Sequence, residues 1–228
     1  MNDLNTILNS CYLGPELLTL ARYSHIVSIV LSLALGIFVF VKSKFNHLSK
    51  IFLSFVGVFS LWLIGDLIAW ASIEYNLIYT TWSFLVYLEI LFYMLGLYFV
   101  ATFAKKADIS PWAKLSMFLF TLPAFWITVS LQSVVGFNQP ACEAFNNEFL
   151  DIYKLMCEGV ILTSILIYAI SPFFQKTTQK IKKVNLIVMG SMFLFLATFG
   201  ITEYLASVTG EYEMNLYSLF LLPVFLVA

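Results

Sequence analysis

Residues 62–70 read WLIGDLIAW, and seven of the nine are apolar. The run from Ile51 to Ala71 around them carries no charge except Asp66. About 20 such residues, wound as a helix, cross the roughly 30 Å hydrocarbon core of a bilayer. A carboxylate inside such a span costs about 2.5–3.5 kcal/mol on insertion scales, so it turns away from lipid and finds a partner or a function. Trp62 and Trp70 lie four residues to either side of Asp66, which puts all three on one helix face. That face is expected to point into a bundle of further spanning helices.

The rest of the chain supplies the bundle. Of its 228 residues, 61% are hydrophobic and 11% are charged. Soluble domains run near 45–50% and 25%. Apolar surface on that scale is expected to meet lipid, and the 23 phenylalanines suit a lipid-facing surface. Runs long enough to span occupy 18–41, 50–71, 77–104, 115–135, 153–174 and 184–207. A seventh, 214–228, reads as an incomplete span cut within helix seven, with a half-span ending in the membrane as the other reading. The expectation is a single all-α domain, a seven-helix polytopic membrane bundle. Strands are not expected, because the apolar runs are continuous rather than alternating. Neither a cleavable signal sequence, an internal repeat nor a soluble linker is evident.

Charge sets an orientation. Ten of the twelve basic residues follow the first, third and fifth spans, from Lys42 to Lys50, Lys105 to Lys114 and Lys176 to Lys183, facing the single acid Asp108. Eight acids, among them Glu16, Glu74, Glu148 and Glu213, flank the spans on the opposite side. The positive-inside rule then places the N-terminus outside and the C-terminus in the cytoplasm.

Four acids remain within spans: Asp66, Glu89, Glu158 and Glu203. Counting 1.5 Å of rise per residue from the end of each apolar run puts Asp66, Glu158 and Glu203 about 6–8 Å below the outer surface. Glu89 falls about 18 Å down, near the midplane. Arg22 and His25 share the shallow level, and Lys154 lies one turn before Glu158. The expectation is an outward-opening polar pocket formed by Asp66, Glu158, Glu203 and Arg22 beside Trp62 and Trp70, with Glu89 below it. Plainer readings stand next to this one. The acids can serve packing alone or snorkel to the interface, His25 can be an interfacial residue, and the outer aromatics can form a belt.

Three cysteines, Cys11, Cys142 and Cys157, admit a Cys11–Cys142 bridge across the outer face, against the alternative of three free thiols. Zinc-type, nucleotide-binding and hydrolase motifs are not found. Neither a metal nor a cofactor is expected, and nucleic acid is not an expected partner.

Four stretches resemble the seven-helix N-terminal membrane region of bacterial sensor histidine kinases. They are SLWLIGDLIAW (60–70), TTWSFLVYLEILFYMLGLYFV (80–100) with Trp82 and Glu89, GFNQPACEAFNNEF (136–149), and LYSLFLLPVFLVA (216–228) with Pro223. The resemblance implies a sensor in a bacterial cell membrane, with the bilayer, a cytoplasmic kinase module in cis and a second copy of the chain as partners. Its last helix would carry the signal inward, with Pro223 as a hinge or a tolerated kink. The rival expectation is a small secondary transporter that uses Asp66 and Glu89 as a proton or cation relay.

Overall fold

The computed structural model describes residues 15–72, 74–130, 133–137, 144–174, 178–209 and 213–227. Seven α-helices follow one another: α1 (Pro15–Lys42), α2 (His47–Ala71), α3 (Tyr75–Lys105), α4 (Pro111–Val129), α5 (Glu148–Ile170), α6 (Gln179–Thr209) and α7 (Glu213–Val227). Among the described residues, the first six are long and apolar enough to cross a membrane, while α7 has 15 residues. The fold is all-α, as expected. Local chemistry sets several helix starts. The Asn46, Ser110 and Asn147 side chains accept hydrogen bonds from backbone N–H groups in the first turns of α2, α4 and α5, which satisfies donors that have no partner inside the helix.

α3 is the central helix and packs against α2, α4, α5 and α6. α1 lies on α2, and α7 closes the ring between α6 and α1. The core between α2, α3 and α6 is aromatic. Phe59, Phe92, Phe195 and Phe199 are fully buried. Phe59 meets Phe195 edge-on at 5.0 Å, and Phe199 meets Phe92 at 5.1 Å and Trp62 at 4.8 Å, geometries that add to plain burial. Other phenylalanines, such as Phe38 and Phe118, are exposed, so Phe serves both the outer surface and the core.

The connector after α4 also departs from expectation. α4 ends at Val129, six residues before the end of the apolar run, and the chain then forms an antiparallel hairpin of β1 (Val134–Phe137) and β2 (Ala144–Asn146). The Ser133 carbonyl accepts from the Asn147 N–H at 2.6 Å, which ties the hairpin to the start of α5. β1 begins within the last residues of the apolar run, and a continuous apolar run carries no signal for so short a strand. Cys11 and Cys142 lie outside the described residues. Cys157 is a buried free thiol on α5.

α7 is latched at its proline. Pro223 has no N–H, so the carbonyl of Leu219 loses its helical partner. The Ser28 hydroxyl on α1 donates to that carbonyl at 2.5 Å, and both residues are fully buried. Ser28→Ala should therefore lower stability by about 1–3 kcal/mol, the cost of a stranded buried acceptor. In a Pro223→Ala background, where residue 223 supplies its own N–H, the same change should cost clearly less. Thermal unfolding of the four proteins in micelles checks this, and equal costs in both backgrounds would show that the latch does not act.

Candidate functional site

Three helices bring charges together in the interior. Lys154, on α5, reaches across to Glu89 on α3, with Nζ 3.0 Å from Oε2. It also pairs with Oε1 of Glu203 on α6. Glu158, one turn beyond Lys154, completes the group, and one oxygen from each of Glu89, Glu158 and Glu203 lies within 4.8 Å of the others. The side chain of Glu89 is 2% exposed, that of Lys154 14% and that of Glu203 30%, so the group opens on the Glu203 side. Among the described residues, no donor is placed on Glu89 Oε1, Glu158 Oε1 or Glu203 Oε2.

Three carboxyl groups thus share one ammonium. Carboxylate oxygens that face each other only accept, unless one of them holds a proton. If all three were ionised, two negative charges would stand uncompensated among apolar side chains, a penalty of several kcal/mol per ion. The arrangement has capacity for additional positive charge, as protons or a cation. The sequence showed no metal-ligand spacing because the three oxygens come from three separate helices.

α6 comes close here because of a glycine. A Cβ at Gly200 would lie 2.7 Å from the Tyr93 hydroxyl and 3.2 Å from Glu158 Oε2. Tyr93, fully buried on α3, donates to the Leu196 carbonyl at 2.7 Å. The bare glycine thus lets a tyrosine and a carboxylate sit against the α6 backbone.

Asp66 belongs to a second site. It is buried, and its Oδ2 lies 2.8 Å from Nε2 of His25 on α1, itself fully buried. The His25 Nδ1 is 2.6 Å from the Ala21 carbonyl. One ring nitrogen faces a backbone carbonyl and the other a carboxylate, so the pair ties α1 to α2 through polar contacts on both sides of the ring.

The expected pocket is corrected by this geometry. Trp62, Asp66 and Trp70 are all buried, as their spacing predicts. Asp66 pairs with His25 rather than with Glu158 and Glu203, and Arg22 is exposed. The buried stripe of α1 runs through Ala21, Ser24, His25 and Ser28, which turns Arg22 to another face. Glu89 joins the other acids instead of lying far below them. Counting rise from the apolar runs assumed level helix ends, but α5 starts at Glu148 rather than near Tyr153. Glu158 is then about 15 Å along its helix rather than 7–8 Å. The two sites touch through aromatics: Phe199, one turn before Glu203, packs on Trp62, one turn before Asp66.

Fold and site together define a class, an all-α bundle with six potential membrane spans around a buried lysine–carboxylate network. Comparison of the chain with protein-family models, curated proteins and solved structures finds no match.

Gly200→Ala should destabilise the protein by about 1–3 kcal/mol through overpacking. A Cβ at Gly159 or Gly190 meets nothing within 4 Å, so alanine there should be neutral or stabilising. Thermal unfolding of the three variants separates the cases, and a neutral Gly200→Ala would contradict the close approach.

Proposed function

We propose that the chain is the membrane sensor part of a two-component receptor, with its N-terminus outside and a cytoplasmic kinase module in cis. The resemblance to sensor kinases and the one-sided lysine distribution support this reading. The observation that carries it is the attachment of α7. Thr202, the neighbour of Glu203, shares a hydrogen bond of 3.0 Å with Ser218 on α7. Ser28, one turn after His25, holds the Leu219 carbonyl of the same helix. Each buried charge site is therefore within about one turn of a polar contact to α7.

In this mechanism, the load of positive charge on Glu89, Glu158 and Glu203 is the input. Lys154, Tyr93 and Cys157 are titratable groups of α3 and α5 that interact with them electrostatically. Adding or removing a charge changes how tightly α5 and α6 are drawn together by Lys154. The shift at Glu203 moves Thr202, and the Thr202–Ser218 bond passes it to α7. A stimulus biases the switch only if the two positions of α7 differ in affinity for it.

The oxygens of the three glutamates on which no donor is placed among the described residues also favour a transporter reading, in which they relay protons or a cation. One preparation tests both. Spin labels on Val224→Cys and Lys44→Cys, with the native cysteines replaced, report the position of α7 in nanodiscs. Sensor action predicts a pH-dependent change in the distance between labels that Glu89→Gln or Glu203→Gln flattens, with no proton flux through liposomes. A pH-independent distance combined with flux that those variants abolish would overturn the sensor reading in favour of transport.

A further inference from the structure

At the lysine-rich end, a cavity of about 560 Å³ opens between the start of α2, the end of α3 and the start of α6. A second cavity of about 230 Å³ lies deeper and shares Asn46, Leu48 and Phe103 with it. The upper part holds Lys106 and Lys180. The deeper part is lined mostly by apolar side chains, among them Phe52, Met192 and Phe225 of α7, with Ser49 and Ser191 between them. Together they form a charged mouth above an apolar pocket of the size that takes small ligands.

We propose that this cavity binds an anionic phospholipid of the surrounding bilayer, with its headgroup on Lys106 and Lys180 and one acyl chain in the apolar pocket. Neither lysine is within ion-pair distance of an acid among the described residues. The one nearby acid, Asp108, is already engaged by Lys114, by the Tyr98 hydroxyl at 2.8 Å and by His47 at 3.3 Å. Lys114, and then Tyr98, hold its carboxyl well below the usual aspartate range. The positive charge at the mouth is thus left for an outside anion. Lys106 ends α3 in the left-handed region, with φ 53, where glycine is free of strain. Val39 and Val184, exposed apolar residues of the lining, give a chain from the bilayer an apolar entrance. Because Phe225 of α7 forms part of the wall, a bound lipid would touch the helix proposed as the output. The binding itself does not depend on the sensor reading.

The test titrates the purified chain in micelles with dioleoylphosphatidylglycerol, dioleoylphosphatidylcholine or oleate, and follows the unfolding temperature. Phosphatidylglycerol should raise it saturably, and phosphatidylcholine should not. Lys106→Gly with Lys180→Gln keeps the backbone turn and removes both charges. It should weaken the effect by about 25-fold, at roughly a factor of five per lysine near an anionic surface. Val188→Trp, which fills the deeper cavity, should abolish it. Lys44→Gly, another left-handed lysine (φ 54) outside the cavity, should leave it intact. Unchanged binding in the double variant, loss in Lys44→Gly, or stabilisation by oleate but not by phosphatidylglycerol would overturn the proposal.

Discussion

The Lys154 ammonium, held between Glu89 and Glu203, is the interaction on which the rest of the structure depends. A lysine and three carboxyl groups in an apolar interior are tolerable only when they meet. Removing one partner from a buried pair typically costs about 3–5 kcal/mol, because the other charge is stranded. The meeting point fixes α3, α5 and α6 relative to one another. Gly200 and Tyr93 permit the close approach of α6 that this requires. An aromatic core of the Phe59 and Phe199 kind would pack in several ways, whereas a charge network accepts few arrangements.

Around this fixed group, α7 is attached by apolar packing, with Leu216, Leu219 and Leu222 fully buried, and by directional contacts. It carries a proline that breaks its own hydrogen-bond ladder. The broken position is repaired from another helix by Ser28, and a second polar contact comes from Thr202. A helix held in this way can move as a unit when the hydroxyl contacts rearrange. The same two contacts sit beside the His25–Asp66 pair and the lysine–carboxylate group, so a change of charge at either site has a short physical route to α7.

Much of the bundle was legible in the sequence because burial in lipid imposes long apolar runs, and Asp66 with its flanking tryptophans announced an inward face by spacing alone. Partners were less legible. Ser24, Ser28 and Ser32 recur every fourth residue in α1, a polar stripe that could have shown which face His25 occupies. That His25 meets Asp66 depends on how α1 and α2 are rotated, which no local pattern encodes. Glu89 seemed too deep for the other acids because helix ends were taken as level, and capping by Asn147 starts α5 earlier than its apolar run does. Pro223 announces a freed carbonyl, but the helix that answers it is decided by tertiary packing. The hairpin after α4 is short and starts at the end of an apolar run, so hydrophobic periodicity had nothing to say about it.

Charge exchange across the α5–α6 contact tests the central claim most directly. Lys154→Glu alone puts four acids together without a base and should lower stability by at least about 3–5 kcal/mol. Adding Glu203→Lys returns a cation to the same place from the facing helix, and most of the loss in unfolding temperature should be recovered. Lys183→Glu, at an exposed position, should change stability by no more than about 0.5 kcal/mol. If Lys154→Glu behaves like that surface control, or if Glu203→Lys gives no recovery, the charges do not meet inside the bundle and the account fails.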